Sequence, residues 1–280
     1  MSARVLVLPA VAVLALGGCV TPASAQLPDS VSVNLKQYRS DIAAGRLEIQ
    51  VINGSDDPLT ITAASVTSPR FASTAVWPKD STTVPAGTTR DLPVTIPDIV
   101  CDAQAAERVQ LSFTLADGTS GTAELTPTDT HGDVDRVSET ACFERSVESI
   151  AVLEGTRLVV SGSGTSSTAV LEVDVTPSGS SDSVVLNTIG ETVLLASASE
   201  QDGWPLALTV NGTDAASQLE LDLLPQRCDA HVIAEDKAGT RLPVTATLSD
   251  GTSDSFALPL ADGLREQLLD FVAARCGLVG

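Results

Sequence analysis

The chain has 280 residues, enough for two domains of ordinary size, and its 43% hydrophobic content supplies real cores and excludes a disordered polypeptide. A formal net charge of −20 repels nucleic acid and anionic lipid headgroups, so neither is an expected partner; the charge serves solubility first and a basic partner second. Aromatics at 3% leave few rings for stacking platforms that hold bases or sugars.

The first element in chain order is "MSARVLVLPAVAVLALGGCV". Arg4 precedes an apolar run from Val5 to Leu16 that is too short to cross a bilayer comfortably and has the layout of an export signal. Leu16-Gly17-Gly18-Cys19 closes it, and this box resembles the signal of bacterial lipoproteins. The resemblance implies residues 1–18 as a signal peptide, cleavage before Cys19 and a diacylglyceryl group on its sulfur. The two acyl chains of that group, with N-acylation in many bacteria, would hold the chain stably on the extracytoplasmic face of a membrane. Residues 19–29 then form a short polar tether.

The first folded unit is expected over 30–146. Leu47, Ile49 and Val51 alternate with polar residues, "NGSDDP" turns the chain at 53–58, and Leu59 and Ile61 resume the alternation. Trp77-Pro78 follows, then Leu92, Val94 and Ile96 lead to Cys101. Val109, Leu111, Phe113 and Leu115 share one face before an Asp117-Gly118 turn, a strong hairpin signal. "DTHGDVDR", Asp129 to Arg136, spaces three carboxylates, but its Thr-His-Gly interruption departs from a calcium loop. Acids there favour the start of a short helix, expected near Val134–Ala141.

The second unit, 147–280, repeats the first. Twenty-two residues separate Trp77-Pro78 from Cys101-Asp102-Ala103, and the same number separate Trp204-Pro205 from Cys228-Asp229-Ala230. "LADGTS" at 115–120 matches "LSDGTS" at 248–253, and each is followed by a late cysteine, Cys142 and Cys276. The strand patterns recur as Leu171, Val173, Val175, then Leu219, Leu221, Leu223, then Leu242, Val244, Ala246, Leu248. About seven short strands per unit suit an all-β fold of two tandem immunoglobulin-like β-sandwich domains. With Cys19 set aside for lipid, four cysteines allow three pairings, and the duplication selects Cys101–Cys142 and Cys228–Cys276. The order Trp…Cys…Cys differs from that of antibody domains, so each bridge is expected to staple a terminal segment to a strand end. In the second unit that segment is a C-terminal helix, with Asp262 as cap, Leu264, Leu268, Phe271 and Val272 as its stripe, and Gly277 as its stop. The general resemblance is to bacterial lipoproteins with tandem immunoglobulin-like domains.

"LPQRCDAHVIAEDKAGT", Leu224 to Thr240, holds the densest chemistry. The repeat explains Cys228, but six extra residues separate the following landmarks in the second unit, and His231 stands where the first unit has Gln104. His231, Glu235, Asp236 and Lys237 are therefore the candidate binding loop; the plainer reading is a solvated charged turn. A metal site is not expected, because no CxxC occurs and the two histidines, His131 and His231, are unmatched. No nucleophile elbow, HExxH, SxxK or dinucleotide pattern appears, so no catalytic residue and no cofactor is assigned. Trp77 and Trp204, duplicated with the unit, are expected to pack inside it. The expectation is a lipid-anchored, non-catalytic binding or scaffolding module for another envelope protein. The alternative is a hydrolase or small-ligand receptor using the His231-Glu235-Asp236 loop.

Overall fold

The computed structural model describes residues 24–199, 201–229 and 239–278. Strands β1 (Val31–Lys36), β2 (Arg46–Asn53) and β6 (Thr88–Thr95) form one antiparallel sheet of the first unit, in the order β1-β2-β6. The facing sheet runs β4-β3-β7-β8, from β3 (Leu59–Thr67), β4 (Ala75–Val76), β7 (Arg108–Thr114) and β8 (Ser120–Leu125), with β5 (Thr82–Val84) also paired to β3. The chain crosses between the two sheets after β2, after β5 and after β6, as in immunoglobulin-like sandwiches. Leu47, Ile49 and Val51 of β2 face Leu111 and Phe113 of the opposite sheet across a core from which all are excluded from solvent.

The second unit repeats this plan. Strands β9 (Ala151–Ser161), β10 (Thr168–Pro177), β14 (Ser217–Pro225) and β12 (Leu195–Ser197) form one sheet, and β13 (Trp204–Asn211), β11 (Ser183–Ile189), β15 (Pro243–Leu248) and β16 (Ser253–Ala257) the other. The correspondence extends to irregularities. A β-bulge interrupts β3 between Ile61 and Ala63, and another interrupts β11 between Leu186 and Thr188. Each bulge shifts the inward phase by one residue, so Leu59 and Ile61 give way to Ala64 and Val66, and Leu186 gives way to Ile189. Both tryptophans sit beside the first inward residue after the bulge. The Trp77 backbone N–H donates to the Ala64 carbonyl, and Trp204 pairs with Ile189. Both are buried, at 4% and 8% exposure, as the duplication predicts. The two Asp-Gly turns also match. Asp117 and Asp250 accept the N–H groups of Thr119 and Thr252, and Gly118 and Gly251 take positive φ of 84° and 89°.

The disulfides are Cys101–Cys142 and Cys228–Cys276. Each joins a loop after the last strand of the first sheet to a helix after the final hairpin, not one sheet to the other. In the second unit that helix is α3, Leu264–Arg275 (α1 and α2 are placed below). It buries Leu264, Leu268, Phe271 and Val272, and Gly277 follows at φ 68°. The expected cap is corrected: Gly263, at φ 75°, is the N-cap, and no side chain closes this end. A glycine reaches the left-handed region that lets the chain turn directly from the Ala261 carbonyl into the helix, which leaves Asp262 outside it.

The first unit's helix departs further from expectation. It is α2, Asp133–Glu148, sixteen residues instead of a short helix around Val134–Ala141. Its N-terminal half turns Val134, Val137 and Ala141 into the first core. Its C-terminal half turns Phe143 and Val147 into the second, where Phe143 meets Phe256 with ring centroids 6.4 Å apart. A helix with two partners on different faces shows no single apolar stripe, which is why the periodicity hid its length. A second helix, α1 (Arg39–Ala44), was not signalled by the pattern and joins β1 to β2. Among the described residues no helix is long and apolar enough to cross a membrane.

The start of the described chain lies on the first sandwich. The Ala25 N–H donates to the Ser120 carbonyl at 3.0 Å, so this segment runs beside β8. It passes so close to Gly121 that any side chain there would meet the Ala25 carbonyl and the Phe113 ring. An open groove of about 730 Å³ lies between Gln26–Asp29 and Thr122–Leu125.

Candidate functional site

Cys19, with the expected signal before it, lies outside the described residues, and so do His231, Glu235, Asp236 and Lys237. The stems of that candidate loop are well held. Cys228 is bridged to Cys276, the Gln226 N–H donates to the Leu194 carbonyl, and the Thr192 hydroxyl donates to the Gly239 carbonyl. Arg241 follows and acts electrostatically on Glu144 of α2. Burial, and then Glu148, push the Glu144 carboxyl above its ordinary value, with Arg241 opposing.

The three acids of "DTHGDVDR" do not converge. Asp129 caps α2, accepting the N–H groups of Asp133 at 2.8 Å and Val134 at 2.9 Å. Asp133 accepts the Gln37 N–H and pairs with Arg136 at 2.6 Å. Burial alone would raise its carboxyl, but the Gln37 N–H and Arg136 outweigh this and hold it below the ordinary value. Asp135 pairs with Arg70 at 2.5 Å. The passage is thus a clasp between β1 and α2. No group of three or more acids, His or Cys with metal-holding geometry exists among the described residues.

The densest polar cluster in the described chain was not anticipated. It covers the outer face of the β1-β2-β6 sheet, where α1 straps across it. The Tyr38 hydroxyl donates to Asp91, and the Gln50 amide donates to both Tyr38 and Asp91. Asn34 donates to Gln50 and accepts from Thr128 and Thr130. Asp41, 2% exposed, accepts the Tyr38 N–H at the start of α1 and pairs with Arg46. Beneath lies Glu48, 6% exposed, with Oε2 buried and without a hydrogen-bond partner. Burial, then Asp41 and Asp91, push its carboxyl up from 4.5 to about 7, with Arg46 and Lys79 opposing. A carboxyl near neutrality suits proton transfer, but Glu48 is covered, at 6% exposure. The signal lay in plain view: Glu48 is the polar residue of an alternating strand. Its burial depends on α1, which the pattern did not show.

No family model matches the chain, and no curated protein does. Among solved structures, red sea bream transglutaminase is similar over 84% of this chain and 32% of its own, at 10% identity and a TM-score of 0.26. A chaperone–tip adhesion subunit complex (CsuC-CsuE) of archaic Csu pili from Acinetobacter baumannii is similar over 78% of this chain and 93% of its own, at 10% identity and a TM-score of 0.20. The exo-chitosanase CsxA of Amycolatopsis orientalis, in complex with a glucosaminide, is similar over 81% and 26%, at 12% identity and a TM-score of 0.19. The chain thus spans about a third of the transglutaminase and a quarter of the chitosanase. At these TM-scores the likenesses carry no argument about function.

Proposed function

We propose that the protein is a lipid-anchored, non-catalytic module of the cell envelope that binds or scaffolds another exported protein. The observation that carries this reading is the placement of the chain directly after the lipoprotein-like box. Residue 25 is already hydrogen-bonded to β8, six positions after Cys19. The intervening chain reaches at most about 20 Å. A lipid on Cys19 would therefore keep the first sandwich near the bilayer surface, with α2 leading from it into the second. Two cores sharing one helix suit presentation of a surface at a set distance. The net charge of −20 favours a basic protein surface as the partner.

Detergent phase partitioning tests the anchor. Wild type is expected in the detergent phase, and Cys19→Ala in the aqueous phase or left unprocessed. Equal partitioning of both into detergent would refute it. The non-catalytic reading is tested at the candidate loop. His231→Ala is expected to leave the fold intact and its stability within about 1 kcal/mol of wild type. A hydrolase activity with a pH midpoint in the histidine range, lost in that variant, would replace this reading with an enzymatic one.

A further inference from the structure

The duplication supplies an internal comparison for Glu48. The second strands of the two units align as "LEIQV" (Leu47 to Val51) and "LEVDV" (Leu171 to Val175), so Glu48 corresponds to Glu172. In both units the neighbouring strand sets a cation opposite this glutamate: Lys36 faces Glu48, and Arg157 faces Glu172. In the second unit the pair closes. Arg157 holds Glu172 through two nitrogens, at 2.8 and 2.5 Å. In the first it does not. The Lys36 ammonium lies over the Tyr38 ring, 4.7 Å from its centroid, and makes no ion pair with Glu48 among the described residues. The two units also differ in what joins these strands: a short turn at 162–167 in the second, and Gln37–Gly45, with α1, in the first. Where the second unit satisfies the buried acid with a guanidinium, the first covers it with a helix that carries another acid, Asp41.

We propose that Glu48 is a proton-operated latch: while neutral it lets the Gln37–Gly45 strap lie on the sheet, and its ionisation releases the strap. The groups facing it are Asp41 from α1, Asp91 from β6, Arg46 on its own strand, Lys79 from the segment after Trp77, and Lys36 and Tyr38 at the end of β1. An anion at Glu48 meets Asp41 and Asp91 across little water. It also attracts Lys36 away from the Tyr38 ring. Either response removes a contact that holds the strap.

The sign follows from linkage. With the strap closed the carboxyl titrates at about 7, against an ordinary value of 4.5 once it is solvated. The closed form therefore holds the extra proton, and its advantage is complete below about 4.5, falls as pH rises, and levels off above about 7. The test is hydrogen exchange at the α1 amides that are hydrogen-bonded only when the strap is formed, those of Asp41, Ile42 and Gly45. After correction for intrinsic exchange, their protection is expected to fall by up to about tenfold per pH unit between pH 5 and 7 and then to level, one proton being linked to opening. In Glu48→Gln it is expected to stay at the acid-side level throughout, and the Gly155 amide of the second unit is expected to show no such trend. Protection that ignores pH in the wild type, or a fall that persists in Glu48→Gln, would overturn the proposal. If Glu48→Gln does not fold, carboxyl-carbon titration of Glu48 in the wild type decides: a midpoint near 7 supports the latch, and one near 4.5 overturns it.

Discussion

Replacing Cys228 and Cys276 together by serine is expected to destabilise the second sandwich by about 4 kcal/mol. The bridge spans 48 residues, and a cross-link of that size removes about this much from the unfolded chain's conformational freedom. The closed loop contains β15, β16 and α3, so the open chain must find the final hairpin and its helix without a covalent guide. Replacing both partners avoids an unpaired thiol and isolates the loop effect. The buried stripe of α3 still docks, so the fold is expected to survive with a lower melting temperature, by about 8–16 °C for a protein of this size. The Cys101–Cys142 bridge spans 41 residues, and the same reasoning gives it nearly the same worth. Thermal melts of the two double variants, compared with the oxidised wild type, check both. A shift of less than about 2 °C in either would show that its bridge does not limit the unfolded state.

Phe143→Ala is expected to cost about 3–5 kcal/mol, the range for emptying a buried aromatic site. The ring is 6% exposed and packs beside Phe256 and Val147 in the second core, yet its helix is rooted in the first. The loss is expected to fall on the second sandwich, whose β16 lies against α2. Val134→Ala, at the other end of the same helix, is expected to weaken the first sandwich instead. Each sandwich holds one of the chain's two tryptophans, Trp77 and Trp204, so single-tryptophan variants report on each separately in denaturant. An unchanged Trp204 transition in the Phe143→Ala background would show that α2 does not contribute to the second core.

Much of the scaffold was legible because it rests on short-range rules. Period-two apolar residues, such as Leu47, Ile49 and Val51, can bury one face only as a strand. The Asp-Gly turns after Leu115 and Leu248 need a positive φ at glycine and form hairpins with little help from elsewhere. The duplication carried the rest, since one unit's spacing of Trp, Cys and Asp-Gly constrained the other and selected the disulfide pairing. What stayed hidden were features set by partners distant in sequence. The length of α2 was masked because its apolar residues divide between two cores. Asp262 has the chemistry of a cap, but the path from Ala261 gave that position to Gly263.

The sequence by itself determined the all-β architecture, the two-unit repeat and the two bridges, because alternation, turn chemistry and cysteine spacing act within a unit and survive without knowledge of contacts. It also supplied the lipoprotein-like box at Cys19 and the candidate loop at His231. Only the tertiary structure decided that two equivalent glutamates have different lives. Glu48 and Glu172 occupy the same place in the same pattern, and each has a cation opposite. One is neutralised by Arg157, while the other lies under α1 with its cation drawn to a tyrosine ring. A carboxyl's charge state follows from what surrounds it in three dimensions, and residues 37–45 come over Glu48 only when the chain is folded.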